Sequence, residues 1–567
     1  MFPWRRLATR LRIQRPMSLL SRNSYPVKPP EHLQVILTDI EEQICVLVDG
    51  CTKHLKTEEG IETTCRIAGG WVRDKLLGAE SNDIDIALSD MMGEPFAEHL
   101  VNFARTQGVV ASEVAKIEKN PDQSKHLETA TFRILDRSID VVNLRSEEYT
   151  GDSRIPNQVT FGTPLQDALR RDITINALFY NIHTRLVEDF TEKGIHDLKN
   201  GIVRTPLPPR ETFLDDPLRV IRCVRFASRF DFAMEPELET AVKDPLIQAA
   251  LRTKVSRERV GEELTKMVKG RNPRHAIQLL HDLSLFASVF SVLPNEISSA
   301  LSSPVQDNAS GLKAAVLLDT LLHPSPSKLP SVHPTMLSTS EDASCTARLF
   351  LAAALTPYKG ITYSDRKKKP HPAVEAAIRE SLKLGTQNHF LDGIPALFAA
   401  AEILRLPRLD DDRFTLPSDR VAIGLRLRDK VVHNPNTGSH WTSSLLFSLV
   451  QDLLPHYDLE NDILDVNRAS EIIAIYNCFV DRVLELKLQD AVDARPILDG
   501  REVSAALGAQ RAGPWLGQVL TQVVEWQLGH PHQTKDDCVA WLRTQKAEGR
   551  VQINQPSEPV TKKLRTK

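Results

Sequence analysis

Residues 66–90 read RIAGGWVRDKLLGAESNDIDIALSD, and within them Asp83 and Asp85 stand two positions apart in a run of Ile, Ala and Leu. On a strand, alternation sends both acids to one face and Ile84 and Ile86 to the other. The isoleucines can enter a core, whereas the acids repel each other on an open face. A cation relieves that repulsion, and Mg²⁺ takes oxygen ligands from one or two carboxylates plus substrate phosphates. Two such ions about 3.5–4 Å apart serve phosphoryl and nucleotidyl transfer. Upstream, Gly69 and Gly70 allow close approach of backbone to a ligand and positive φ. A helix beginning near Trp71 would turn its free N–H groups toward a phosphate. Arg73 in its first turn could grip that phosphate bidentately, with Asp74 beside it to cap or orient. Each feature is weak alone. A phosphate cradle, an arginine and a pair of metal-binding acids between 69 and 85 point together to nucleotide chemistry.

Other nucleotide binders are excluded. The chain has no GxxxxGK[ST] loop and no GxGxxG turn, and it lacks the HRD and DFG set of protein kinases.

The elements that must position these residues follow from periodicity. Residues 32–56 read as a helix with Leu33, Ile36, Ile40, Ile44, Leu47 and Val48 on one stripe. From 62 to 205, short β runs (CRIAGG, DIDIALS, TFRILDR, IDVVNL, ALFYNI) alternate with short helices, so the unit is α+β or α/β. The polar KNPDQSKHLET, 119–129, reads as a loop between strands. From 206 to about 540 the pattern is helical, interrupted by a Ser/Pro-rich stretch at 302–344 and the basic RKKKP at 366–370, both expected as exposed insertions.

With 567 residues the chain exceeds one hydrophobic core. No apolar run is long enough to span a membrane. Seven cysteines form no CxxC pair, which argues against a zinc ribbon or a disulfide framework. The net charge of −3 is unevenly placed. Residues 1–29 hold seven basic residues and no acid, so the remainder carries −10, and any nucleic-acid surface must be local. Trp4, Leu7 and Leu11 share a helical face among arginines before Pro16, the pattern of a mitochondrial transit segment. Met17 offers an internal start that omits most of it, giving nuclear or cytosolic forms. The 546–567 tail is basic and is expected to be disordered.

A family resemblance covers about 60 to 270. GGWVRD (69–74) with DID (83–85) resembles the signature of the DNA polymerase β nucleotidyltransferase superfamily. RRDITINA (170–177), EDFTEKGIHDLKNGIVR (188–204), DDPLRVIRCVRFASRF (215–230) and SRERVGEEL (256–264), in that order, resemble the class II tRNA nucleotidyltransferases, the CCA-adding enzymes. KIEKNPDQSKHLETATF (116–132) resembles the eukaryotic form of their mobile loop. The resemblance implies an α+β nucleotidyltransferase head with a small mixed sheet (30–205). A helical neck (206–285) and a helical body and tail (286–545) would follow. It further implies two Mg²⁺ held by Asp83 and Asp85, a triphosphate at Gly69, Gly70 and Arg73, and a ribose end held by Arg171 and Asp172. The substrates would be CTP and ATP. The partner would be tRNA, bound through its 3′ end and acceptor/TΨC region, with the protein expected to be a monomer.

The base-reading helix has its own chemistry. From Asp216, with Pro217 in the first turn, Arg219, Arg222, Arg225 and Arg229 fall in one arc of about 120°, and Val220, Val224 and Ala227 lie opposite. Cytosine and adenine each present an amino donor beside a ring-nitrogen acceptor. Guanine and uracil present the reverse. A carboxylate only accepts and a guanidinium only donates. An Asp216–Arg219 pair therefore fits C and A, with Arg222 and Arg225 in support, and these positions match the family's base readers. Asp215 stands where the family usually has Glu. Asn176 reads as an orienting core residue, and Arg257 and Glu262 as braces between neck helices. Asp140 is either a third acid beside the metal site or a sheet-surface acid. The rival activities are partial addition (CC, A or poly(A)) and a non-catalytic tRNA-binding protein of the same fold.

Overall fold

The computed structural model describes residues 19, 27–117, 129–148, 158–306, 309–323, 329–339, 341–509 and 512–551. Two compact units divide the chain, one formed by 20–316 and 346–391, the other by 1–19, 317–345 and 392–567.

The first unit begins with helix α1 (Asp39–Glu58), which starts where Thr38 and Glu41 form a capping box. The helix expected from residue 32 is therefore later. Residues 32–38 lack helical structure, and Ile36, placed on the apolar stripe, is 73% exposed. After α1 come β1 (Cys65–Ala68), α2 (Gly70–Leu76), β2 (Asp83–Leu88), α3 (Gly93–Thr106), β3 (Ala115–Ile117), β4 (Thr129–Ile134) and β5 (Arg137–Asn143). A side hairpin, β6 (Arg145–Glu148) and β7 (Gln158–Phe161), precedes α4 (Pro164–Leu169). Then β8 (Phe179–Asn181) and β9 (Leu186–Glu188) complete a seven-stranded sheet of order β3-β4-β5-β2-β1-β8-β9. The five β runs read from the sequence are β1, β2, β4, β5 and β8.

The sheet is mixed, because β2 pairs with β5 in parallel while the other neighbours run antiparallel. That register sets Asp85 beside Asp140 and Ile84 beside Ile139. Ile84, Ile86, Ile139 and Val141 are buried, as are Phe96, Ala97 and Leu100 of α3. Each buried Ile contributes about 1.5–3 kcal/mol, which fixes the register. A slip of one residue would bury the acids.

Helices α5 (Gly194–Asn200), α6 (Pro209–Asp215) and α7 (Leu218–Phe230) lead out of the sheet region, with the short strand β10 (Ile202–Val203) before α6. Helix α7 buries Val220, Ile221, Val224 and Ala227 and packs on α10 (Arg257–Val268) and α11 (Pro273–Asp282), which follow α8 (Pro236–Val242) and α9 (Pro245–Thr253). The chain continues mainly as helices to Ala547. The second unit contains a core around Val503, Val523, Cys538 and Leu542.

The stretch 302–344 differs from the exposed insert expected of it. Helix Ser310–Leu322 lies within it and buries Leu312, Ala314, Ala315, Val316, Leu317 and Leu318, and Met336 is buried too. Serines and prolines frame an apolar run long enough to enter a core. In contrast, RKKKP forms an exposed turn between two short strands, Thr362–Ser364 and Pro370–Pro372. The polar loop at 119–129 lies outside the described residues apart from its last, as do nearly all of the basic segment 1–29 and most of the tail 546–567. Among the described residues, no helix is long and apolar enough to cross a membrane.

Candidate active site

A cavity of about 540 Å³ opens between the sheet end and α7. Its lining includes Gly69, Gly70, Arg73, Asp85, Arg171, Asp172, Asp216, Arg219, Arg222 and Arg225. Ten of the eleven residues expected to hold metal, triphosphate, ribose or base thus meet in one place. Asp83 is not in the lining, but it shares Asp85's exposed face, while Ile84 between them is buried.

At one end stands the glycine pair. Gly69 has φ +75°, the conformation that favours glycine, and a Cβ there would come within 2.7 Å of Arg171 Nη1 and push that guanidinium aside. Its N–H is spent on the Leu178 carbonyl at 3.0 Å. Helix α2 is only two turns long, and Arg73 is nearly buried within it. Arg73 Nε donates to Asp74 Oδ1 at 2.8 Å, Nη1 donates to Asn176, and the guanidinium lies over the rings of Phe226 and Phe230 at 5.3 and 4.9 Å. The bidentate phosphate grip expected of Arg73 is thus not its geometry. Burial lowers its pKa, opposed by Asp74, and the side chain ties α2 to α7. Asp74 does orient it, and also receives Arg229 at 3.3 Å.

The acids beside it are poorly compensated. Asp85 opens to the cavity, yet the protein packed around its carboxylate strips enough water, with the neighbouring Asp140, to raise it to about 6; Arg171 opposes this and Asp83 adds to it. Asp140 receives the Thr131 hydroxyl at 2.7 Å. No three His, Cys, Asp or Glu side chains among the described residues converge as a ready metal cage. A pair of strand acids crowded by a third suits an ion that arrives with phosphate oxygens better than one caged by protein alone.

The far wall is the opposite case. Asp172 accepts from the Ile173 N–H at 2.9 Å, from Asn176 Nδ2 at 3.0 Å and from Arg222 Nε and Nη2 at 2.8 and 2.6 Å. Burial pushes its pKa up, but Arg222, then Asn176 and the Ile173 N–H, hold it down to about 2. Its acceptor positions are filled, so the expected ribose contact would have to displace one of these donors. Asp172 serves here as the anchor of Arg222. Asn176, between Arg73 and Asp172, is the orienting core residue anticipated.

Two organising acids were missed. Asp167 is 1% exposed and receives Arg170 Nε at 2.9 Å and Arg171 Nε and Nη2 at 3.1 and 2.9 Å. These pairs outweigh burial and hold its pKa at about 2. Its spacing three and four residues before the arginines, on α4, was the available signal. The second is Glu263, 3% exposed, which pairs with Arg225 and lies 3.7 Å from Arg222. Glu262, named as the brace, is exposed instead, because α10 buries Val260, Gly261, Glu263, Leu264 and Met267. Arg257 does brace, donating to the carbonyls of Ser381, Ser288 and Val289 at 2.7, 3.1 and 2.6 Å. Arg145 and Arg259 also line the cavity without having been foreseen.

Asp216 and Arg219, the pair expected to read the base, sit at the N-terminus of α7. Asp216 Oδ1 accepts the Leu218 N–H at 3.1 Å, and Arg219 Nη2 donates to the Arg170 carbonyl at 2.6 Å. Among the described residues no ion pair joins Asp216 to Arg219, so each keeps hydrogen-bonding capacity facing the cavity.

A mixed sheet presenting paired acids beside a glycine turn, with an arginine-lined helix across the cavity, defines a nucleotidyltransferase. Residues 65–204 match the Poly A polymerase head domain and 231–296 the probable RNA and SrmB-binding site of polymerase A. The CCA tRNA nucleotidyltransferase, mitochondrial, of Saccharomyces cerevisiae is 36% identical over 90% of this chain and 94% of its own length. The tRNA nucleotidyltransferase cca1 of Schizosaccharomyces pombe is 35% identical over 89% and 96%. The chain belongs to the CCA tRNA nucleotidyltransferase family. A CCA-adding enzyme solved in complex with ATP shares its fold, with a TM-score of 0.57 and 17% identity over 92% of this chain and 97% of that one.

Proposed function

We propose that the protein adds C, C and A to the 3′ end of tRNA from CTP and ATP, without a nucleic-acid template. The observation that carries this reading is the single cavity in which a glycine turn and Asp85 face Asp216 and Arg219. In the reaction the tRNA 3′-oxygen bonds to the α-phosphorus, the bond to the β-phosphate oxygen breaks, and pyrophosphate leaves. Asp83 and Asp85 would hold two Mg²⁺, which supply a lowered pKa for the attacking hydroxyl and charge neutralisation for the leaving group.

The remaining work falls to this chain's own groups. Gly69 and Gly70 let the triphosphate approach the backbone, and Arg171, fixed by Asp167, supplies positive charge next to Asp85. Asp216 accepts the amino group of C or A, and Arg219 donates to the adjacent ring nitrogen. Guanine and uracil would leave both groups unpaired, each at a cost of about 1–3 kcal/mol. Asp172 and Glu263 hold Arg222 and Arg225 in support. The helical body and tail would take the acceptor/TΨC region by shape and backbone charge. The protein acts as a monomer. The mitochondrial names of two relatives and the Arg-rich start favour a mitochondrial form, with Met17 giving nuclear or cytosolic ones.

The test uses full-length protein, Mg²⁺ and a tRNA lacking its last three nucleotides, supplied with CTP, ATP, both, GTP or UTP, followed by sequencing of the 3′ ends. Ends reading CCA, lost in Asp83→Ala/Asp85→Ala, establish the reaction. Ends stopping at CC, or growing as poly(A), move the enzyme within its family. Binding without extension makes it a tRNA-binding protein.

A further inference from the structure

A second cavity, of about 670 Å³, lies behind the base-reading helix. It shares Arg225 and Arg229 with the first, so the two are back to back across the last turns of α7. Its walls are mostly apolar, with Val27, Leu77 and Ala79 at the surface over the buried Phe230 and Met267. Val27 closes one side, its N–H donating to the Phe230 carbonyl at 3.0 Å. Around this surface stand five cations, Arg225, Arg229, Lys266, Lys269 and Arg271.

The charge there is unbalanced. Asp74 is the sole acid among the described lining residues, and it already receives Arg73 at 2.8 Å and Arg229 at 3.3 Å. Arg225 and Lys266 are both drawn to Glu263. Lys269 and Arg271 are exposed and form no ion pair with any described residue. They sit on the short turn between α10 and α11, one on each side of Gly270. Apolar surface flanked by two exposed, uncompensated cations fits a ligand with a flat apolar part and an anionic part. A purely ionic ligand would leave the apolar wall unused, and a purely apolar one would bury cations without partners.

We propose that this cavity is a second nucleotide site. It takes a nucleoside phosphate, with the base against Val27, Leu77 and Ala79 and the phosphate on Lys269 and Arg271, reached also by Arg229. The nucleotide comes either free or as one unit of an RNA strand, and the recognition chemistry is the same. The site stands apart from the reading of the first cavity, since neither Lys269 nor Arg271 lines that cavity.

The experiment measures AMP binding by calorimetry, with full-length protein in EDTA. Wild type should bind AMP, and Lys269→Glu/Arg271→Glu should weaken that binding by about tenfold or more, the scale of losing two charge-assisted contacts. Both positions are exposed, so the melting temperature should not move. Ala79→Trp, which fills the wall and leaves the charges, should weaken binding as well. A 5′-phosphorylated trinucleotide that displaces AMP identifies RNA as the source, and failure to displace it identifies a free nucleotide. The proposal is overturned if AMP binding is unchanged in both variants, or if it disappears wholly in Asp216→Ala/Arg219→Ala, since the AMP then sits in the first cavity. Preferential binding of oleate over AMP overturns it too.

Discussion

The two walls of the active-site cavity treat their carboxylates in opposite ways. On the strand wall, the protein packed around the Asp85 carboxylate and then Asp140 raise it to about 6, and Arg171 opposes them. On the helical wall, Asp172 is held at about 2, its acceptor positions filled by Arg222, Asn176 and the Ile173 N–H. Under-compensated charge on one wall would leave a place for a cation and phosphate, and compensated charge on the other ties its elements together. Function is expected where the protein has left its electrostatics unfinished.

The largest expected effect tests the unfinished wall. Asp83→Ala/Asp85→Ala should lower nucleotide addition by about 10³-fold or more, the scale of losing a transition-state electrostatic stabiliser. Thermal stability should hold or rise, because two like charges are removed from one face. A fall in melting temperature comparable to that of a core variant would show that the pair is structural and would break the comparison.

The finished wall should respond in stability. Asp172→Ala or Glu263→Ala takes the carboxylate from a half-buried arginine, Arg222 or Arg225, at a cost of about 1–3 kcal/mol each, readable in denaturant melts. The pH dependence has a definite sign. Asp172 and Asp167 have folded pKa values near 2, below the unfolded value near 4, so the stability they confer is complete above about pH 4. It is lost as pH falls toward 2, at about 2 kcal/mol for each group. Replacing either by Asn should flatten the acid limb of the stability curve. An unchanged limb would mean that the buried pairs do not persist in solution.

A smaller effect is expected at Asp167 on catalysis. Asp167→Asn keeps the shape but loses the charge that fixes Arg170 and Arg171, so KM for CTP should rise about tenfold with kcat less affected. Asp167→Glu should restore part of it. Equal falls in kcat and in kcat/KM, with KM unmoved, would place Arg171 in the transition state instead of in substrate binding.

How much of this was legible depended on whether the cause was local. The paired acids, the glycine turn and the arginine face of α7 repeat with the period of their own element, so residue types and spacing revealed them. The five strand runs were legible for the same reason. The partners of those residues were not. That Asp172 would be saturated by Arg222, fifty residues on, or Arg73 by Asn176, is decided by packing between elements. Asp140 beside Asp85 required the parallel register of β2 and β5, which no local pattern encodes. The helix at 310–322 was hidden by the serines and prolines around it.

The smallest expected effect isolates a single step of helical phase. Glu262 and Glu263 are adjacent and chemically identical, and sequence reasoning chose the wrong one as the brace. On α10 the buried stripe runs through Val260, Gly261, Glu263, Leu264 and Met267, and one residue is a turn of about 100°. Gly261 leaves the tightest space, since a Cβ there would sit 2.0 Å from the Leu382 carbonyl, and this close approach fixes how the helix is rotated. Glu263 is thereby carried under Arg225 and Glu262 out to solvent. Glu262→Ala should change stability by no more than about 0.5 kcal/mol and leave nucleotide addition intact. If it matched Glu263→Ala in the same melts, α10 would be rotated by one residue from the arrangement described, and the compensation of Arg225 that distinguishes the two walls would have to come from another acid.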